Sequence, residues 1–445
     1  MFARILVFSL MLLASPAWAQ VADSGAASAA DSSQMLMPPP ISAAGLSTAV
    51  GAEERQNYIS GGLALNGGYV NNLYPATGTG TVNDQLYLVQ PTIGADRTTD
   101  RMHASFTYSP AFTFYEPTSA LNTVDHSVTA AFQYRLSPHM NLVAGDAITK
   151  TSDTLSQEPI SGAISGGLPS VTPGIVVPFA PQVANSSYAQ VGWQLSLNDM
   201  VGGGGSATLV NYSASSPETR GMYNSNSRGG SGFYTHRLTD GQYIGTAWQY
   251  TEIVATPAVG SGIAQATMNS NGVLGFYTIY LTPALSLSVG GGSQRYRLTQ
   301  APATAAAGWG PSAFGSLGWQ GLHTNLVLNY SRIDTEGAGV IGVYGTNAAA
   351  LSGRWQMARD WTASLGSSYS DLAAVAQSST GSIRGGHTLS GTIALSRQLG
   401  QTLNVAVQYQ RLHQSYPGIT AISSDPDSSR ESVSITYHFS RPLGR

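Results

Sequence analysis

Histidine, serine and acidic side chains are the residues of this sequence that could perform chemistry, and their spacing matches no reactive pattern. The chain has neither an H-E-x-x-H motif nor a close histidine pair, so the spacing that holds zinc is missing. It has no cysteine, which excludes thiolate metal sites, disulfides and a lipoprotein anchor. We interpret its eight histidines as turn, rim or interior residues: His103, His126, His139, His236, His323, His387, His413 and His438.

Two glycine-containing stretches resemble reactive loops but lack the residues that such loops need. Residues 162–166 read G-A-I-S-G and lack the central serine of a G-x-S-x-G nucleophile turn. The glycine run at residues 202–205 is not followed by the Gly-Lys-Ser/Thr of a phosphate-binding loop, and relief of crowding at a turn or bulge explains it better. We therefore predict no catalytic residue, no cofactor and no metal, and a protein that is not an enzyme.

The composition favours strands that cross a membrane. Charged residues make up 10% of the chain, against about 25% in an average soluble domain, and there are 51 Gly and 22 Tyr. Beyond the first residues no apolar run reaches the roughly 20 residues that a transmembrane helix needs. Low charge together with alternating polar and apolar residues is typical of a membrane β-barrel. The net charge of −3 gives no reason to expect nucleic acid as a partner.

The N-terminal residues indicate export. Residues 1–19 read as a signal peptide, with a basic start, an apolar stretch and Ala17-Trp18-Ala19 before the cleavage point. Residues 20–57 show no persistent period and contain three consecutive prolines, which predicts a flexible periplasmic segment. A plug or a partner-binding role for this segment remains an alternative.

From Tyr58 onward, short turns alternate strictly with longer loops. Short turns fall at 135–140, 236–241, 280–284 and 397–401, and long Gly, Pro, Ser and Ala loops fall between them, as at 255–265 and 416–429. This rhythm predicts an all-β, antiparallel up-and-down transmembrane β-barrel of about 18 strands over residues 58–440. The weakly patterned stretches 64–86 and 332–353 leave the count open by about two strands.

The stretch 431–440 has the pattern of a closing strand. Its apolar face carries Val433, Ile435, Tyr437 and Phe439, while serine, threonine and histidine occupy the other face. This segment resembles the last strand of bacterial outer-membrane β-barrels, and the resemblance implies that Tyr437 and Phe439 form a signal for the barrel assembly machinery. In that family the aromatic residue usually ends the chain, whereas here a short tail, residues 441–445, follows.

Over nearly all of residues 58–439 the chain resembles uncharacterised, porin-like outer-membrane β-barrel proteins of Gram-negative bacteria. The resemblance rests on architecture and turn rhythm, and it implies a place in the outer membrane, in contact with its lipid and lipopolysaccharide. Two alternatives are a soluble β protein with core aromatics and a β-propeller. A propeller would need a recurring blade motif and polar outer faces, and its one-sided aromatic strands would aggregate in water.

The two faces of each strand predict different surroundings. Tryptophans near strand ends suit aromatic girdles at the membrane boundary: Trp193, Trp248, Trp319, Trp355 and Trp361. The clearer strands carry no charge on their apolar face. We predict an inner face that is polar and nearly neutral, with pore-lining residues at Gln133, Arg135, Gln190, Gln194, Arg354, Gln356, Asn404, Gln408 and Gln410.

The longest connection and four arginines leave alternatives open. Residues 152–182 follow the fifth predicted strand, and they either fold inward to narrow the barrel or lie on its surface. Four arginines either ring an outer vestibule or pair with lipopolysaccharide or with nearby acids: Arg295, Arg297, Arg332 and Arg411.

A barrel of this width is too wide for its own side chains to fill. Together with the neutral inner face, this favours a pore for passive diffusion of small, mostly neutral solutes. The first alternative is the outer-membrane barrel of an exopolysaccharide export system, in which the partner would be a polysaccharide. The second is a structural or adhesive barrel without transport.

Overall fold

The computed structural model describes residues 57–74, 82–152, 182–212, 223–257, 264–300, 306–335, 343–376, 385–416 and 427–442. Apart from a 3₁₀ turn at Ser119–Leu121, the regular elements of these residues are strands. In chain order they are β1 Tyr58–Tyr74, β2 Val82–Thr98, β3 Met102–Tyr115, β4 Thr123–Ser137, β5 Met140–Thr151, β6 Gln182–Gln194, β7 Asp199–Tyr212, β8 Asn224–Thr239, β9 Gln242–Thr256, β10 Ala266–Thr282, β11 Leu285–Gln300, β12 Ala306–Gln320, β13 Thr324–Thr335, β14 Val343–Ala358, β15 Trp361–Ala376, β16 Gly385–Leu399, β17 Leu403–Ser415 and β18 Asp427–Pro442.

The strands close into one barrel. Each strand pairs antiparallel with its neighbours in sequence, and β1 pairs with both β2 and β18. The prediction of an 18-stranded antiparallel up-and-down barrel is confirmed. The last strand continues beyond the predicted boundary at residue 440, because Arg441 and Pro442 pair with Ile59 and Tyr58. The closing ladder extends from there to Asn71 opposite Ser429.

The connections alternate in length around the barrel. Those at one end, the short-turn end, contain two to four residues, whereas those at the other end, the long-loop end, contain five to thirty. This is the predicted rhythm. The longest connection joins β5 and β6. Residues 153–181 of it lie outside the described part, so the structure does not address either of the two placements considered for this loop.

The predicted signal peptide at residues 1–19 and nearly all of the segment 20–57 also lie outside the described residues. Among the residues that are described, no helix is both long and apolar enough to cross a membrane.

The outer surface of the barrel is apolar because alternate side chains of each strand point away from the interior. On β18 the outward residues Val433, Ile435, Tyr437 and Phe439 are 47–54% exposed, whereas the inward Ser432 is 6% exposed. Their ladder partners on β17 continue the same surface, since Val407 faces Val433 and Leu403 faces Tyr437. The outward tryptophans of the short-turn end are Trp193, Trp319, Trp355 and Trp361.

A charged residue interrupts the apolar outer face in the middle of strand β5. Asp146 lies midway along β5, opposite Ala130 and on the same face as Ile148, which is 40% exposed. Its Oδ1 accepts hydrogen bonds from the side chains of Asn185 at 2.9 Å and Ser187 at 2.7 Å, both on β6. The same face of β5 carries the exposed Lys150 near the long-loop end.

We predict that the hydrogen bonds from Asn185 and Ser187 to Asp146 stabilise the barrel, because a carboxylate that faces hydrocarbon cannot be solvated by water. The double substitution Asn185→Leu/Ser187→Ala removes both donors and should lower the free energy of unfolding by about 1–3 kcal/mol. The triple variant Asp146→Leu/Asn185→Leu/Ser187→Leu removes donors and acceptor together and should be close to neutral. Chemical unfolding of the protein refolded into phospholipid vesicles measures both, and equal destabilisation of the two variants would contradict the prediction.

Candidate functional site: the barrel interior

Short polar side chains line one side of the interior, formed by the inward faces of β15–β18 and β1–β6 and called here the polar wall. Hydroxyl and amide groups on this wall bond to one another across strands. Ser109 Oγ lies 2.9 Å from the Gln90 Nε2 that donates to it and 3.0 Å from Thr92 Oγ1. Ser368 Oγ and Ser390 Oγ are 2.6 Å apart. These groups are uncharged, so the wall offers hydrogen bonds without a strong field.

All nine residues predicted to line a pore point inward. They lie opposite the exposed apolar residues of the same strands, and Gln194 is buried at 8% exposure while the other eight are partly or largely exposed. Whether they contact a solute stays a prediction. They are Gln133 and Arg135 on β4, Gln190 and Gln194 on β6, Arg354 and Gln356 on β14, and Asn404, Gln408 and Gln410 on β17.

Charged groups of the interior lie toward the two ends. Within the described strands, each inward-facing charged side chain is one of the five terminal residues of its strand. At the short-turn end His103 Nε2 lies 2.7 Å from Asp96 Oδ2, and Arg237 lies 3.9 Å from Asp240. The central zone of the described wall is therefore neutral.

The other side of the interior, formed by β7–β12 and called here the apolar wall, carries large apolar side chains among polar ones such as Ser270, Thr278 and Gln294. The prediction of a polar inner face therefore holds only in part there, because it did not include these apolar side chains. Its buried residues pack into one cluster: Met200, Phe233, Tyr243, Ala247, Leu274, Phe276 and Phe314. A second apolar cluster nearer the long-loop end contains Tyr223, Ile253, Ala255, Ala266, Met268, Tyr296, Leu298 and Val343. The interior thus has two chemically different walls.

Glycines on neighbouring strands make room for the inward rings. The Phe233 ring covers Gly202, and a Cβ added there would overlap the ring and also come within 2.7 Å of the Val191 carbonyl oxygen. Phe276 covers Gly245 in the same way, one pair of strands further along. Phe314 covers Gly290. Because each ring lies over a glycine, which has no side chain, the aromatic residues fill the wall without reaching far into the lumen.

Two inward carboxylates anchor connections at the long-loop end. Asp125 accepts hydrogen bonds from the backbone N–H and the hydroxyl of Ser152, both at 3.0 Å, where the longest connection begins. Asp84 accepts hydrogen bonds from the backbone N–H and hydroxyl of Thr118 in the β3–β4 connection. Both carboxylates thus hold a connection of the long-loop end against the barrel wall.

Two tyrosines just outside the strands at the long-loop end are also shielded from water. Burial raises the pKa of Tyr223, which belongs to the second apolar cluster. Burial likewise raises the pKa of Tyr416, whose hydroxyl lies 2.7 Å from Thr388 Oγ1. Both phenols therefore stay neutral near pH 7 and add no charge to this end of the barrel.

The arrangement closest to a catalytic set lies on a short turn outside the lumen. Ser196 Oγ donates to Asp199 Oδ2 at 2.7 Å, and His236 Nδ1 lies 2.8 Å from Asp199 Oδ1. The serine and the histidine both bind the carboxylate instead of each other, so the hydrogen bond that would activate a serine nucleophile is not formed. Within the described ranges, no group of three or more His, Cys, Asp or Glu side chains is placed to hold a metal ion.

A closed barrel with an apolar outer surface and aromatic residues near its rims is the architecture of a membrane-spanning β-barrel protein. No protein-family model matches the chain, and no curated protein matches its sequence.

Similar solved structures are large barrels of low sequence identity. The ferric citrate transporter FecA is 12% identical with a TM-score of 0.42, over 82% of this chain and 61% of its own length. The outer membrane protein OpdK from Pseudomonas aeruginosa is 11% identical with a TM-score of 0.39, over 87% of this chain and 100% of its own. Acinetobacter baumannii OccAB4 is 9% identical with a TM-score of 0.40, over 88% and 100%. At these values the matches assign no function.

We predict that the ring-over-glycine contacts stabilise the apolar wall. Gly202→Ala should lower the free energy of unfolding by about 1–3 kcal/mol, because the added methyl group forces the Phe233 ring and the neighbouring backbone apart. Gly366→Ala is the matched control, since Gly366 faces the interior from β15 and has open space where a Cβ would lie. Unfolding from phospholipid vesicles measures both variants, and equal stability of the two would show that the contact is not needed.

Proposed function

We propose that this chain forms an outer-membrane channel for passive diffusion of small, mostly neutral solutes. The observation that carries the proposal is the polar wall, whose central zone presents hydroxyl and amide groups and no charge in the described strands. Barrels of about 16–18 strands are wide enough to leave an aqueous channel between their walls. The proposed solutes are molecules that exchange hydrogen bonds with water for hydrogen bonds with this wall.

The chemistry of the two walls supports neutral solutes over ions. A selective ion pore places rings of charge at its narrowest level, whereas the inward charges here lie toward the ends and several are already paired. The apolar wall across the lumen suits a solute that has both a polar and a nonpolar side. The proposed class is therefore small, uncharged and amphipathic or hydroxyl-bearing molecules.

The proposed orientation places the short-turn end in the periplasm and the long-loop end outside the cell, as in bacterial barrels generally. In this orientation β1 begins at the periplasmic end, and Tyr437 and Phe439 lie where the proposed assembly signal would be read. A polysaccharide-export barrel would share this orientation but would stay closed until a partner opened it.

Conductance of the refolded protein in a planar bilayer tests the proposal. The expected result is large steps with similar permeability to potassium and chloride. Gln408→Glu/Gln410→Glu adds two carboxylates to the polar wall and should shift the permeability ratio severalfold toward potassium. Gln85→Glu is the control, because Gln85 faces outward from β2 opposite Tyr69 and should leave the ratio unchanged.

Deleting residues 154–180 distinguishes free diffusion from regulated export and from a structural or adhesive role. A silent intact protein that conducts after the deletion would mean a closed barrel, which favours regulated export over free diffusion. Silence before and after the deletion would reject the pore and leave a structural or adhesive role.

A further inference from the structure

Two arginines stand out on the outer face near the long-loop end. Arg295 and Arg297 lie two residues apart on β11, and both are exposed. Their ladder partners on β10 are Asn271 and Asn269, and Trp309 on β12 lies opposite Arg295 with 67% of its surface exposed. We call these five residues the arginine–asparagine patch.

Hydrogen bonds fix which way the two asparagine side chains point. Trp248 Nε1 on β9 donates to Asn271 Oδ1 at 2.7 Å, and the Tyr250 hydroxyl donates to Asn269 Oδ1 at 3.0 Å. An indole N–H can only donate, so it must meet the carbonyl oxygen of the amide. Each amide therefore keeps its NH₂ group as a free donor beside an arginine, which also has donors only.

The two arginines of the patch have no carboxylate partner within the described strands. Neither Arg295 nor Arg297 forms an ion pair there, whereas Arg411 on β17 lies 3.3 Å from Asp427. The acid closest in the ladder, Glu252, lies across Asn269 on β9, and its other ladder neighbour is Arg228. The patch is thus a surface of guanidinium and amide N–H groups whose two arginines have no ion-pair partner in the described strands, with Glu252 at its edge beside Asn269.

The same combination occurs once more on the outer face. The Tyr330 hydroxyl on β13 donates to Asn347 Oδ1 at 3.2 Å, and Arg332 is the ladder partner of Asn347. There too an aromatic donor holds the amide oxygen while an arginine lies beside the NH₂ group. The four arginines considered for an outer vestibule lie on the outer face instead, because Arg295, Arg297, Arg332 and Arg411 all point away from the lumen.

We propose that the arginine–asparagine patch binds a phosphate group of a phosphorylated glycolipid in the outer leaflet. One guanidinium group can donate two parallel hydrogen bonds to the oxygens of a phosphate. The two amide NH₂ groups add further donors on the same surface. The occupant is a lipid because the patch faces the membrane and adjoins Trp248, Tyr250 and Trp309, which are side chains typical of the boundary between hydrocarbon and headgroups. The proposal rests on the outer-membrane location and does not depend on conductance.

Native mass spectrometry of the refolded barrel, titrated with lipid A carrying two phosphates, tests the proposal. The wild-type protein should bind this lipid at least about tenfold more tightly than the same lipid without phosphate. Arg295→Gln/Arg297→Gln should abolish the difference. Arg411→Gln is the matched control, since it removes an outward arginine that already has a carboxylate partner, and it should leave binding unchanged.

Two further variants keep the test decisive if the double variant does not fold. Asn271→Asp puts a carboxylate beside Arg295 and should lower the affinity, whereas Trp248→Phe keeps a ring but frees the amide to turn and should cause a smaller loss. Equal binding of both lipids by the wild type would overturn the proposal, as would an equal loss in Arg411→Gln. Displacement of the lipid by millimolar inorganic phosphate would overturn it in favour of a soluble-anion site. A barrel that binds the lipid but does not conduct would reject only the proposed channel.

Discussion

Closure of β1 onto β18 is the constraint on which the rest of this structure depends. Hydrocarbon offers no hydrogen bonds, so a strand edge left open inside a membrane would expose a row of unpaired N–H and C=O groups. The ladder from Tyr58–Pro442 to Asn71–Ser429 removes the last such edges. An even strand number follows, because antiparallel neighbours must alternate in direction around the ring. Every side chain is then assigned to the lipid or to the lumen.

The side chains that face lipid and those that face the lumen are stabilised by different interactions. Outside, burial in lipid rewards large apolar residues, and the exceptional Asp146 is held by two side chains of the next strand. Inside, the polar wall is satisfied by bonds among its own hydroxyls and amides. The apolar wall is instead stabilised by buried apolar surface, because its aromatic rings lie over glycines of the adjacent strand. Glycine therefore serves the packing of the wall here, and the run at 202–205 is part of strand β7 with Gly202 under the Phe233 ring.

The sequence was sufficient for features that depend on neighbouring residues. Alternation and turn rhythm predicted the strand number and the class of barrel, and parity alone placed all nine proposed lining residues on the inward face. The apolar wall was missed because β10 is apolar on both faces: Leu274 and Phe276 point inward while Val273 and Tyr277 point outward. When both faces of a strand are apolar, the two-residue alternation of the sequence does not show that the inward face is apolar as well. Each inward ring also packs over a glycine of a neighbouring strand. Which glycine lies beside which ring depends on the register between the two strands, and the sequence of a single strand does not reveal that register.

Lys150 has a practical consequence for following this protein in a membrane. It is the only lysine of the sequence, and it is exposed on the outward face of β5 near the long-loop end. An amine-reactive dye therefore has one side chain to modify, with the chain's terminal amine as its sole competitor. Since cysteine is absent, one introduced thiol would supply a second, chemically distinct attachment point. A donor and an acceptor fluorophore can thus be placed on a single molecule without first removing a competing lysine or cysteine.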